Sequence, residues 1–111
     1  MPKAHPLFLE IAARLRELAC DPGVTWSFGS YINPETGLTH CEDEMYEAGL
    51  DFADAERVCK TGKITKGEMD VEPPQYRMEG FTSDGDHVAF GVSFSEEEKW
   101  IELITAFGVR E

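Results

Sequence analysis

The sequence predicts an α+β fold in which N-terminal helices pack on one face of a four-stranded, mainly antiparallel β-meander. Three observations predict it. Apolar residues recur at the helical period early in the chain, the period changes to two from Lys63 onward, and turn signals separate the later strand-length segments. Helices first and strands afterwards is the order of α+β proteins, whose helices gather on one side of an antiparallel sheet. At 111 residues the chain has room for one core, so residues 1–111 form a single domain.

The first helix is read over residues 7–19. Leu7, Ile11, Leu15 and Leu18 form an apolar stripe with Glu10, Arg14 and Glu17 off its axis. Pro6 suits a first turn, and Asp21-Pro22-Gly23 stops the helix. Residues 24–32, with Val24, Trp26 and Phe28 alternating, predict a strand, and Asn33–Gly37 a turn. Thr39 with Glu42 is a capping-box pair that opens a helix over 40–48, closed by Gly49 in a left-handed cap. Asp51 with Asp54 opens another helix running to Lys60, with Gly62 as its stop. Strands follow at 63–69, 76–82, 87–94 and 100–107. The last is almost continuously apolar, which predicts a central strand covered on both sides.

Composition narrows the function. Twenty-two acidic against ten basic side chains leave a net charge of −12, which argues against a protein that wraps nucleic acid with clustered Lys and Arg. It leaves room for a small basic site, or for an acidic face that engages a basic protein. No apolar run is long enough to span a membrane, and no secretory signal pattern opens the chain. Three cysteines without a C-x-x-C pair suggest free thiols, so the expected compartment is the cytoplasm.

Few residues point to chemistry. His40 falls at a helix start, where the helix dipole favours a neutral imidazole able to act as acid or base; the plain alternative is a packing or capping role. His40-Cys41-x-x-Glu44, with His87, has some likeness to a metal-ligand set, but a solvated acidic helix explains it more simply. Neither a metal nor a cofactor is expected. Arg77 on a strand can fork onto a phosphate, or pair outward with Glu79 or Glu102. Lys60, Lys63 and Lys66 make the one local basic cluster. P-loop, dinucleotide, serine-hydrolase and zincin motifs are absent from the sequence.

Taken together, these segments resemble domain-of-unknown-function family 4258. Thr39–Met45 is similar to its "S/T-x-H-A-x-x-E/R-M" start. Gly49-Leu50, Asp54–Val58 and Thr61–Ile64 are similar to its "G-I…D-V…T-G-x-I" stretch, and Tyr76–Gly80, Asp84-Gly85 and Glu102–Phe107 to its ending. The likeness covers about 39–107, with residues 1–38 an N-terminal extension. The family is similar to the RelE, ParE and MqsR group of compact toxins. The resemblance therefore implies a RelE-like fold, an antitoxin partner and metal-independent RNA endonuclease chemistry. By motif position the implied site is His40 and Arg77, helped by Tyr76 and Lys63. Where many members carry arginine, this chain has Glu44, beside Glu42, Asp43 and Glu47. Such a run of carboxylates repels RNA and supports the alternative of a non-catalytic acidic module bound to a basic protein.

Overall fold

The computed structural model describes residues 6–29 and 32–109. In chain order the elements are α1 Pro6–Ala19, β1 Thr25–Phe28, α2 His40–Ala48, α3 Phe52–Thr61, β2 Lys63–Glu68, β3 Gln75–Phe81, β4 His87–Ser95 and β5 Trp100–Gly108. The helix boundaries follow from local hydrogen bonding. Thr39 Oγ1 accepts from the Glu42 amide while the Glu42 carboxylate accepts from the Thr39 amide, and Asp51 and Asp54 repeat the arrangement at α3. Each box satisfies amides that a helix start leaves without partners, a contribution of about 1 kcal/mol. Gly49 closes α2 at φ 71°, which glycine adopts without strain. After α1, Asp21 accepts from the Gly23 amide and pairs with Lys99 at 3.2 Å, and both hold its carboxyl below the usual range.

The sheet has five strands in the order β1-β5-β4-β3-β2. Strands β2 to β5 form the expected antiparallel meander, but the expected count of four is one short. β1 adds to the outer side of β5 in parallel, with Thr25 opposite Trp100 and Phe28 opposite Leu103. Only Thr25–Phe28 of the stretch expected at 24–32 is strand. The Gly29 amide makes the last bond to β5, at Leu103 O, and Ile32 bridges to Thr39 instead. Ser30 and Tyr31, within that expectation, lie outside the described residues.

One core fills the layer between the helices and one face of the sheet. Ile11, Leu15 and Leu18 of α1, Cys41 and Met45 of α2, and Ala55, Val58 and Cys59 of α3 meet Ile64, Tyr76, Met78, Phe90, Val92, Ile101 and Leu103. Burying each large apolar side chain stabilises the fold by roughly 1.5–3 kcal/mol. α3 approaches β3 so closely that a Cβ on Gly62 would lie 2.5 Å from the Glu79 carbonyl oxygen. β5 is an interior strand, between β1 and β4, but β4 and not β5 lies at the middle of the sheet, and β5 is not covered on both faces as its apolar run suggested. Ile101, Leu103 and Ala106 face the helices, whereas Phe107 on the opposite face is 38% exposed. No described helix is long and apolar enough to cross a membrane.

The cysteines are free; Cys41 and Cys59 are buried and Cys20 is exposed. Burial pushes both buried thiols up to about 12. Both are protonated in the folded and unfolded chain at neutral pH. As pH rises from about 9 towards 12, the unfolded chain releases protons that the folded chain keeps, so stability is lost across that window. At pH 8 a disulfide thiol reagent is expected to titrate one thiol rapidly in the native protein and three in denaturant. Rapid reaction of a second native thiol would contradict the packing around Cys41 or Cys59.

Candidate functional site

Strand alternation sends every second side chain of β2 to β5 away from the helices, onto a face that no described helix covers. Register then fixes which of these residues are neighbours. Lys66, Arg77, Gly91 and Thr105 form one row across the four strands, and Lys63, Glu79, Ala89 and Phe107 form the next. Phe81 and His87 pair beyond them with stacked rings, 4.8 Å between centroids. Two bulges disturb the ladder beside the first row. Thr65 is the extra residue between Ile64 and Lys66, and Ile104 the extra residue opposite the Gly91–Val92 step. Such bulges re-aim side chains. Here the first turns the Thr65 hydroxyl onto the sheet face.

A polar cluster results. The Arg77 Nε–H donates to Thr65 Oγ1 at 2.8 Å, and the Thr65 hydroxyl donates to Glu79 Oε2 at 2.5 Å. Arg77 Nη2 lies 3.1 Å from the same carboxylate oxygen, and His87 Nε2 lies 3.2 Å from Glu79 Oε1. Glu79 is 9% exposed, so its carboxylate is a buried acceptor held by three partners on neighbouring positions. The Nδ1 atom of His87 is buried and has no hydrogen-bond partner among the described residues. Beside this cluster lies an open cavity of about 220 Å³ lined by strand residues only, among them Lys66, Arg77, Gly91, Ile104, Thr105 and Phe107. Gly91 forms part of its floor, where a Cβ would lie 2.6 Å from Thr105 Oγ1.

The residues anticipated from the sequence separate into three places. Arg77 and Lys63 are on the open face, in adjacent rows. Tyr76 is 8% exposed and packs in the core, its immediate neighbour Arg77 taking the other side of the strand, although the residue also borders the cavity that Arg77 lines. Burial raises its phenol above the ordinary value, so it stays protonated. His40 is on neither. Its side chain is 58% exposed at the start of α2, with Nε2 3.2 Å from Glu44 Oε1. Glu44 Oε1 also accepts from the Ala106 amide at 3.2 Å, satisfying an edge donor of β5 past the end of β1. His40 does not line the cavity that Arg77 lines.

Glu79 and Thr65 complete the cluster, and sequence reading assigned neither of them a role in the site. The Arg77–Glu79 pair was visible as an i, i+2 spacing on one strand face. The His87 contact depended on the turn at Asp84-Gly85 pairing Phe81 with His87, and the Thr65 contact on the bulge. The suggested metal set does not assemble, since Cys41 is turned into the core and His87 is held by Glu79 on the sheet. Among the described residues no three His, Cys, Asp or Glu side chains are grouped to hold a metal.

The family described as "Domain of unknown function (DUF4258)" matches residues 38–108. That is well over half of the chain, and it spans α2 to β5, hence the whole polar cluster. The chain belongs to the DUF4258 family. Its α1 and β1 precede the matched region, so the parallel fifth strand is contributed by the segment outside it. No curated protein and no solved structure matches this DUF4258 chain.

Proposed function

We propose that this protein acts on single-stranded RNA through the helix-free face of its sheet, in the manner of a compact toxin-type endonuclease. One observation carries the reading. Of the four described lysines, Lys60 and Lys99 are paired with carboxylates, whereas Lys63 and Lys66 make no ion pair among the described residues, and both flank Arg77 on that face. In a chain of net charge −12 the two described lysines free of an ion pair thus lie on one face, beside Arg77. Thr65 and Glu79 hold Nε and Nη2 of Arg77, fixing the guanidinium while Nη1 stays open to a phosphate. Phe107 and Phe81, 38% and 55% exposed, offer ring faces on which bases can stack, each worth about 1–3 kcal/mol. At physiological salt the screening length is about 8 Å, which confines repulsion by acids on the helical layer.

Cleavage needs a group to take the ribose 2′-hydroxyl proton and cations beside the crowded phosphate. Arg77 and Lys66 supply the second. For the first, His87 is on the face but engaged by Glu79, and His40 lies past the Thr105–Ala106 end of the cation row. The test is fluorescence anisotropy with a labelled twelve-nucleotide RNA, with cleavage followed on denaturing gels in chelator. Lys63→Ala/Lys66→Ala and Arg77→Ala are each expected to weaken binding about tenfold or more. A proton-transfer residue is identified by a loss of cleavage of roughly 100-fold or more at unchanged binding in His40→Ala or His87→Gln. Binding without cleavage by the wild type keeps RNA as the ligand and removes the endonuclease. Equal binding by wild type and the lysine variant overturns the reading.

A further inference from the structure

On the helical side, a second surface has a different chemistry. Phe28 of β1, Leu38 of the loop before α2, Met45 and Tyr46 of α2, and Leu50 and Phe52 at the α2–α3 turn line an open groove of about 310 Å³, with Glu42 at its side. Its walls are fixed by packing: the Trp26 and Phe52 rings meet edge to face at 5.1 Å, and Met45 reaches the core. The Tyr46 side of the groove stands in solvent. Tyr46 is 84% exposed, the most exposed large apolar side chain among the described residues, beside Phe52 at 39% and Leu38 at 38%. An aromatic ring left in water next to an apolar groove has the composition of an interface centre rather than of a solvated helix face.

The charge around this groove names what fits it. Residues 32–56, which supply all of its lining except Phe28, carry eight carboxylates and no lysine or arginine. Glu56 pairs with Lys60 and Glu44 lies beside the His40 ring, whereas among the described residues no basic side chain pairs with Asp43, Glu47 or Asp51. A groove that is apolar within and anionic around its rim is complementary to a segment that is apolar on one face and cationic on the other.

We infer that this α2 groove is the docking site for a basic amphipathic segment of a partner protein, whose apolar side chains enter between Tyr46 and Phe52 while its lysines or arginines meet the surrounding carboxylates. The site lies on the layer opposite the cation row, and it stands independently of the RNA reading. One partner could therefore be held while the sheet face stays open.

The test uses the full chain and synthetic sixteen-residue peptides: a helical Lys/Leu peptide with one apolar face, a scramble of the same composition, and the Glu/Leu counterpart. Isotope-edited NMR and anisotropy read the outcome. The Lys/Leu peptide is expected to bind, with shifts concentrated at Leu38, Met45, Tyr46, Leu50 and Phe52. Tyr46→Ala, whose side chain is outside the core, should weaken it about tenfold or more; Asp43 and Glu47 changed to Asn and Gln should weaken it further. Lys63→Ala/Lys66→Ala should leave it unchanged, which separates this result from any failure of RNA binding. Equal binding by the scramble, binding of the Glu/Leu peptide, or shifts spread evenly over all acidic residues would overturn the proposal. So would sedimentation showing a dimer that Tyr46→Ala dissolves, because the occupant would then be a second copy of this chain.

Discussion

Phe90→Ala is expected to destabilise the protein by about 3–5 kcal/mol. Phe90 is fully buried at the middle of β4, between Met78 on β3 and Ala106 on β5. Ala106 is too small to fill the vacated space, and Met78 can follow only in part, so most of the cavity persists. Domains of this size have a total stability of roughly 5–15 kcal/mol, and the variant should therefore keep about half of it or less. Urea denaturation should show a lower midpoint at unchanged slope. A loss under about 1 kcal/mol would mean that the layer between helices and sheet is looser than this packing.

Gly62→Ala is the second. Its φ of −81° is open to any residue, so the expected effect comes from space and not from backbone preference. A Cβ there would sit 2.5 Å from the Glu79 carbonyl oxygen and 2.6 Å from that of Val58. Both atoms are backbone and cannot swing aside, and the Gly62 amide is already bonded to Val58 O at 2.7 Å. Relief requires α3 to move off β3, at a cost of about 2–3 kcal/mol for overpacking. In thermal melts this should appear as a drop of roughly 10 °C or more. Gly108→Ala is the control, since no atom of the described residues lies within 4 Å of its added carbon. If both variants melt alike, the close approach of α3 to β3 is not what limits that position.

What could be read in advance divides by sequence distance. The caps of α2 and α3 depend on pairs three residues apart, and Thr39 with Glu42 and Asp51 with Asp54 were legible for that reason. The meander was legible because each strand adjoins the next in the chain. The place of β1 was not, since nothing within Thr25–Phe28 encodes a parallel partner near residue 100. The same limit governed the candidate site. Arg77 and Lys63 could be singled out individually, and Arg77–Glu79 was visible as a pair. The Thr65 hydroxyl enters the cluster only because a bulge adds one residue to β2, and one residue decides which face a side chain takes. Tyr76 beside Arg77 illustrates this: adjacent in sequence, Tyr76 joins the core while the Arg77 side chain meets Thr65 and Glu79 on the open face.

The parallel strand also orders events in time. Thr25 must find Trp100, about 75 residues later, and closing a loop of that length costs on the order of 4 kcal/mol in chain entropy. During synthesis the segment carrying Thr25–Phe28 leaves the ribosome early and has no strand to join until β5 has followed it out. Until then Trp26 and Phe28 remain in water, available to other chains. The last strand to be made thus shelters one of the first, and the nascent chain is most vulnerable to aggregation in the interval between them.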